Sequence, residues 1–143
     1  LSSEVGYRFG GRAGILVAFR GRRGRIPLGS YGDGMRRMLA LSLSLIRSAN
    51  GILLVDEIDT GLHYSVIGDM WRLVVEAARR ADVQVFATTH SLDCVRGLAW
   101  LCENHPELQQ DVSLHKMTCE LDEAVALDAD QIMLAVNQGL EVR

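Results

Sequence analysis

The chain has 143 residues, 48% of them hydrophobic, and a formal net charge of −3; that is one domain's length, enough to bury roughly two thirds of the unfolded surface. Its three cysteines, Cys94, Cys102 and Cys119, contain no Cys-x-x-Cys pair, which argues against a disulfide framework or a closed zinc site and for core thiols in a reducing compartment. No apolar run nears the roughly 20 residues of a membrane span, and Leu1-Ser2-Ser3-Glu4 does not open a signal peptide, so the expectation is a cytoplasmic chain with no membrane contact.

Charge is spread unevenly. Residues 1–37 hold eight arginines against Glu4 and Asp33, while the remainder holds seven basic and sixteen acidic side chains. A solvated hairpin accounts for such a front, and contact with phosphate, of a nucleotide or of nucleic acid, is the second reading. Residues 14–20 are rich in β-formers, Gly21-Arg22-Arg23-Gly24 has turn composition, and Arg25-Ile26-Pro27-Leu28 completes an N-terminal β-hairpin whose second strand Pro27 confines to an edge. Gly6, Gly10, Gly11 and Gly14 precede no strand-to-helix junction and predict no phosphate loop.

A Gly-rich turn, Gly29-Ser30-Tyr31-Gly32-Asp33-Gly34, runs into residues 35–46, a helix of Leu, Met and Ala that is apolar all round and expected to be buried. A glycine turn at a helix start suits an anion, through close backbone approach and the helix dipole; alternatively, Ser30 or Asp33 simply caps the helix.

Next comes the stretch around which the chain is organised, Ile52-Leu53-Leu54-Val55-Asp56-Glu57. Four apolar residues in a row span about 13 Å as a strand, and their lack of polar alternation predicts burial on both faces, as in a parallel sheet. Side chains alternate along a strand, so Asp56 and Glu57 at its C-terminal tip point different ways, at the end where open α/β sheets bind ligands. Residues 64–80 repeat apolar positions at helical spacing, with Asp69, Arg72, Glu76 and Arg80 on the polar face. Residues 83–89 form the next strand, so a parallel crossover is expected, with His90 at the same rim as the two carboxylates. Beyond it the pattern predicts a helix at 91–103, strands at 112–117 and 123–127, and a helix at 129–138 stopped by Gly139; His105 and His115 lack ligand spacing and read as surface or structural.

In this order, Ser30-Tyr31-Gly32-Asp33-Gly34-Met35-Arg36-Arg37, Ile52 to Glu57, Asp59-Thr60-Gly61-Leu62-His63 and Thr88-Thr89-His90-Ser91 resemble the signature motif, Walker B strand, D-loop and switch histidine of an ABC-type ATPase head, most of all those of the OLD, RecF and SMC groups. The resemblance implies an α/β, P-loop NTPase-like C-terminal lobe with a mostly parallel sheet flanked by helices, working as a dimer of heads that sandwiches ATP. It further implies that Asp56 positions Mg²⁺, Glu57 orients water, His90 senses the γ-phosphate, and Ser30, Gly32, Asp33, Gly34 and Asp59 serve the nucleotide. Two departures stand out. The serine of the usual Leu-Ser-Gly-Gly-Gln falls on Ser30 or, with Asp33-Gly34 as the fixed point, at Gly32. The only lysine is Lys116, and no Gly-x-x-x-x-Gly-Lys-[Ser/Thr] occurs anywhere, so the phosphate cradle is absent. Residues 1–143 are therefore expected to be a single domain, with the P-loop lobe on another segment of the same chain or on a separate one, and inactive alone. A non-catalytic scaffold that retains the fold, or a nucleic-acid-binding subunit, are the alternatives.

Overall fold

The computed structural model describes residues 15–18, 24–117 and 124–139. The predicted turn at residues 21–23, the early glycines, Cys119 and the tail at 140–143 lie outside the described residues.

Strands β1 (Leu16–Ala18) and β2 (Arg25–Pro27) pair antiparallel, as the hairpin reading requires, with Val17 opposite Ile26. A 3-10 segment, Leu28–Tyr31, leads into α1 (Gly32–Arg47). Strand β3 (Ile52–Val55), helix α2 (Ile67–Ala81) and strand β4 (Gln84–Ala87) form the expected crossover, and the strands pair in parallel with Leu53 opposite Val85. Helix α3 (Leu92–Asn104) follows, then β5 (Leu114–Met117) and β6 (Ala124–Leu127), which pair antiparallel, and α4 (Ala129–Asn137).

Local chemistry sets these boundaries. The Ser91 hydroxyl caps α3 by accepting from the Cys94 N–H, and Asp128 with Gln131 closes a reciprocal capping box at the start of α4. Helix α2 ends on Asp82 in the left-handed region at φ 52°, whose N–H bonds to the Ala78 carbonyl. Gly139 adopts φ 65° just beyond α4, the stop its position predicts.

Helices α1 and α2 pack on one side of the β3–β4 pair, burying Leu41, Leu45, Ile67, Met70 and Val74 with Ile58 and Val83, against which Leu53, Val55 and Val85 lie. A second cluster joins α2, α3 and α4 through Val75, Leu98, Leu101 and Ile132. The crossing of α2 with α3 depends on two glycines. A Cβ on Gly68 would sit 2.5 Å from the Trp100 ring, and one on Gly97 2.6 Å from Ile67 Cγ2, far inside van der Waals contact.

Three sequence expectations need correction. Among the described residues the strands form three separate two-stranded sheets, and only β3–β4 is parallel, so a mostly parallel sheet is not present. Strand β3 is not buried on both faces: Leu53 and Val55 face the core, but Ile52 is 61% and Leu54 75% exposed, beside Phe86 at 52%. Helix α1 is likewise covered on one side only; Leu41 and Leu45 are buried, whereas Leu43 and Ile46 face solvent. In both elements the apolar sequence exceeds what the described layers cover, because helices line one face of the parallel pair and nothing described lines the other. Cys94 and Cys102 are buried as expected. His105 is half-buried beside Glu107, and His115 is exposed beside Ser113.

Candidate functional site

Backbone pairing between β3 and β4 continues past the strands. The Thr88 N–H donates to the Val55 carbonyl at 2.9 Å, and the Ile58 N–H to the Thr88 carbonyl at 3.0 Å. Residues 56–58 and 88–90 are thereby held side by side, which places Asp56, Glu57 and His90 at one C-terminal rim. All three are exposed.

The rim is fastened by side chains. The Thr88 hydroxyl accepts from the Glu57 N–H at 3.0 Å and donates to Asp56 Oδ1, so a single oxygen bridges the backbone of one acid to the carboxylate of the other. Glu57 itself sits in the left-handed region, φ 46°, a conformation that costs a non-glycine residue about 1–2 kcal/mol. Its Oε2 accepts from the Thr60 hydroxyl at 3.0 Å. From α1, Arg37 Nη2 donates to the carbonyls of Glu57 at 2.9 Å and Asp56 at 3.2 Å. Asp59 is half-buried and turned to β4, where Oδ1 accepts from the Thr89 hydroxyl at 2.6 Å; that hydroxyl in turn accepts from the Ser91 N–H. The His90 imidazole makes no hydrogen bond to the described residues.

The Gly-rich turn comes to the same end. A Cβ on Gly34 would lie 3.4 Å from both the Gly61 carbonyl and Leu62 Cδ2, so the start of α1 rests directly on the 61–62 segment. Among the described residues no side chain caps α1: Ser30 makes no capping bond, and Asp33 pairs instead with Arg36 at 3.2 Å. The capping alternative therefore fails among the described residues; Gly32, at φ 81°, bends the chain into the helix start, its own N–H bonded to the Gly29 carbonyl of the preceding 3-10 turn. An anion fits such a helix end. Among the described residues no three His, Cys, Asp or Glu side chains gather as a ready-made metal cage. A magnesium ion would have to take oxygens from phosphate and water beside Asp56, which is the usual composition of a magnesium site.

Cys94 lies beneath this rim without belonging to its chemistry. Burial pushes its thiol up to about 12, with the Asp59 charge adding to the rise, so it is a packing group rather than a nucleophile. The sequence reading assigned no role to Arg37 or Thr88. Both stand inside the quoted motifs, yet nothing local shows that Arg37 reaches residues 19 and 20 positions further on.

Residues 18–94 match the family described as "AAA domain, putative AbiEii toxin, Type IV TA system". The chain belongs to this AAA-domain family. The matched stretch contains the turn, both carboxylates and His90. An ABC transporter A family member 6 from Arabidopsis thaliana is 35% identical over 75 residues, covering 52% of this chain and 8% of that protein. An ATP/GTP phosphatase from Helicobacter pylori is 26% identical over 74 residues, 50% of this chain and 20% of its own length. The AAA-domain chain thus spans a small part of the curated relatives it matches. A solved structure from work on ATP-driven dimerization and DNA-stimulated activation of SMC ATPases superposes with a TM-score of 0.58 at 16% identity, covering 96% of this chain and 80% of that one. The fold is that of a P-loop ATPase of the ABC and SMC type, and the resemblance to the C-terminal part of such a head holds. No helix among the described residues is long and apolar enough to cross a membrane.

Proposed function

We propose that this chain is the C-terminal lobe of an ATP-hydrolysing head, cytoplasmic and nearest to the OLD-like members of its class, which becomes active when a P-loop lobe completes it and two heads close on nucleotide. The observation that carries the reading is the shared rim: a parallel pair holds two adjacent carboxylates and an imidazole at one end, with Glu57 fastened in a strained conformation. Bound MgATP would supply the phosphoanhydride bond and the cation that offsets its charge.

The chain's own groups divide the work. Asp56, its carboxylate held by Thr88, offers an oxygen to magnesium. Glu57 orients a water through its carboxylate and accepts its proton, while the Thr60 hydroxyl fixes one carboxylate oxygen. His90, without a hydrogen-bond partner among the described residues, is available to donate to a γ-phosphate oxygen. Ser30, Gly32, Asp33 and Gly34 present the open α1 start to nucleotide held by the partner head, where N–H groups and the helix dipole complement negative charge. Asp59, tied to Thr89, keeps the 58–62 segment in register with His90 as it meets the partner.

Dependence on a second lobe is supported from two sides. The sequence has no P-loop lysine, and the bare apolar face of Ile52, Leu54 and Phe86 is what a parallel pair shows when one covering layer is missing. In a head completed by a P-loop lobe, Glu57→Gln is expected to cut turnover about 10²–10⁴-fold, the usual size of a general-base contribution, and to preserve nucleotide-dependent dimerisation. Equal turnover in the wild type and the variant would overturn the enzymatic reading in favour of a scaffold.

A further inference from the structure

We infer that Arg37 is a positioning residue, a tie through which the Gly-rich turn sets the direction of the Glu57 carboxylate. The inference rests on the ATPase reading for its consequence, and on geometry alone for its cause. Four contacts hold Glu57 at φ 46°: its N–H donates to Thr88 Oγ1, its Oε2 accepts from the Thr60 hydroxyl, and its carbonyl accepts both from the Thr60 N–H at 3.0 Å and from Arg37 Nη2 at 2.9 Å. The first comes from the end of β4 and the two from Thr60 lie within the same turn. Only the Arg37 contact comes from α1.

The same nitrogen also takes the Asp56 carbonyl. One guanidinium therefore grips both consecutive carbonyls of the acidic pair just where the β3–β4 ladder ends, the Glu57 oxygen sharing it with the Thr60 N–H. Arg37 is half-buried, so its stem is held rather than swinging in solvent. It stands four positions after Asp33, one helical turn along α1 from the turn itself. Its neighbour Arg36 faces elsewhere, pairing with Asp33 and lying over Gly29.

Because α1 rests on the 61–62 segment through Gly34 and holds residues 56–57 through Arg37, a shift of the turn moves both ends of the acidic segment together. Without Arg37 the Glu57 carbonyl keeps only the Thr60 N–H and the Asp56 carbonyl loses its guanidinium donor, so the tie to α1 is gone, φ is freer to relax toward the negative region that a glutamate prefers, and the carboxylate loses its fixed direction. A lysine offers three donors on a shorter, unforked head and replaces part of the grip.

The test compares Arg37→Ala and Arg37→Lys. Amide hydrogen exchange on the full chain reads the geometry without any catalysis: Arg37→Ala is expected to speed exchange at the Glu57 and Ile58 amides at least tenfold, with exchange in α2 and α3 unchanged. In the completed head Arg37→Ala is expected to lower kcat about 10–100-fold while KM for ATP stays within about threefold, and Arg37→Lys to recover most of the loss. Unchanged exchange at Glu57 overturns the inference, as does a parallel rise across α2 and α3, which would mean loss of fold. A kcat within twofold of wild type, in a head where Glu57→Gln is inactive, overturns it as well. If Glu57→Gln has no effect, the ATPase reading fails, while the exchange result still decides whether Arg37 sets the Glu57 backbone.

Discussion

The two faces of the β3–β4 pair are built from the same four-residue strands and end up in opposite surroundings. Leu53, Val55 and Val85 lie on a core that includes the fully buried Met70 and Leu45, while Ile52, Leu54 and Phe86 remain 52–75% exposed on the other side. Leu54 and Phe86 are cross-strand partners, so the bare face is a coherent apolar patch rather than scattered side chains. The difference teaches that an apolar strand can have one face in the core and the other exposed. Under the proposed function, the first face holds this part together and the second receives a further layer.

Substitutions on each face can break that separation. On the covered side, Met70→Ala removes a side chain with no exposure and is expected to cost about 2–5 kcal/mol, read as a lower urea midpoint of the chain alone. On the bare side, Leu54→Lys with Phe86→Lys should leave that midpoint within about 0.5 kcal/mol, since surface changes do little. The same pair should weaken association with a P-loop lobe about 10–100-fold, measured by calorimetry, because burial of two large apolar side chains is lost. A large fall in the midpoint of the lone double variant would show the face to be part of this lobe's own core.

The smallest effect lies on the solvent side of α2. There Glu76 accepts from Arg72 at 2.8 Å and pairs with Arg80 at 3.1 Å, and the Arg72 hydrogen bond holds its carboxyl below its ordinary 4.5. A depressed acid contributes stability above its unfolded value and loses it as pH falls through the folded one. Glu76→Gln should therefore narrow the stability gap between pH 7 and pH 3 by a small, salt-sensitive amount, seen in urea midpoints at the two pH values.

Much of the chain was legible from period and punctuation. Helix α2 follows from its 3.6-residue repeat and its Arg72, Glu76 and Arg80 polar face, the end of α4 from Gly139 after it, and the parallel crossover from the order of Asp56-Glu57, helix and His90. The covering of α1 and β3 was not. A run such as Ile52-Leu53-Leu54-Val55 reports that both faces are suited to burial, and is silent on whether the covering layer belongs to the same stretch of chain.

From the residues alone follow the order of strands and helices and the meeting of two acids and an imidazole at one rim, because these depend on alternation, spacing and the direction of a parallel crossover. The grip of Arg37 on two carbonyls, the left-handed Glu57 and the inward turn of Asp59 toward Thr89 needed the tertiary structure. They depend on groups some 20 to 30 positions apart meeting within 3.2 Å, and no local pattern encodes which distant donor reaches an oxygen at the end of a strand.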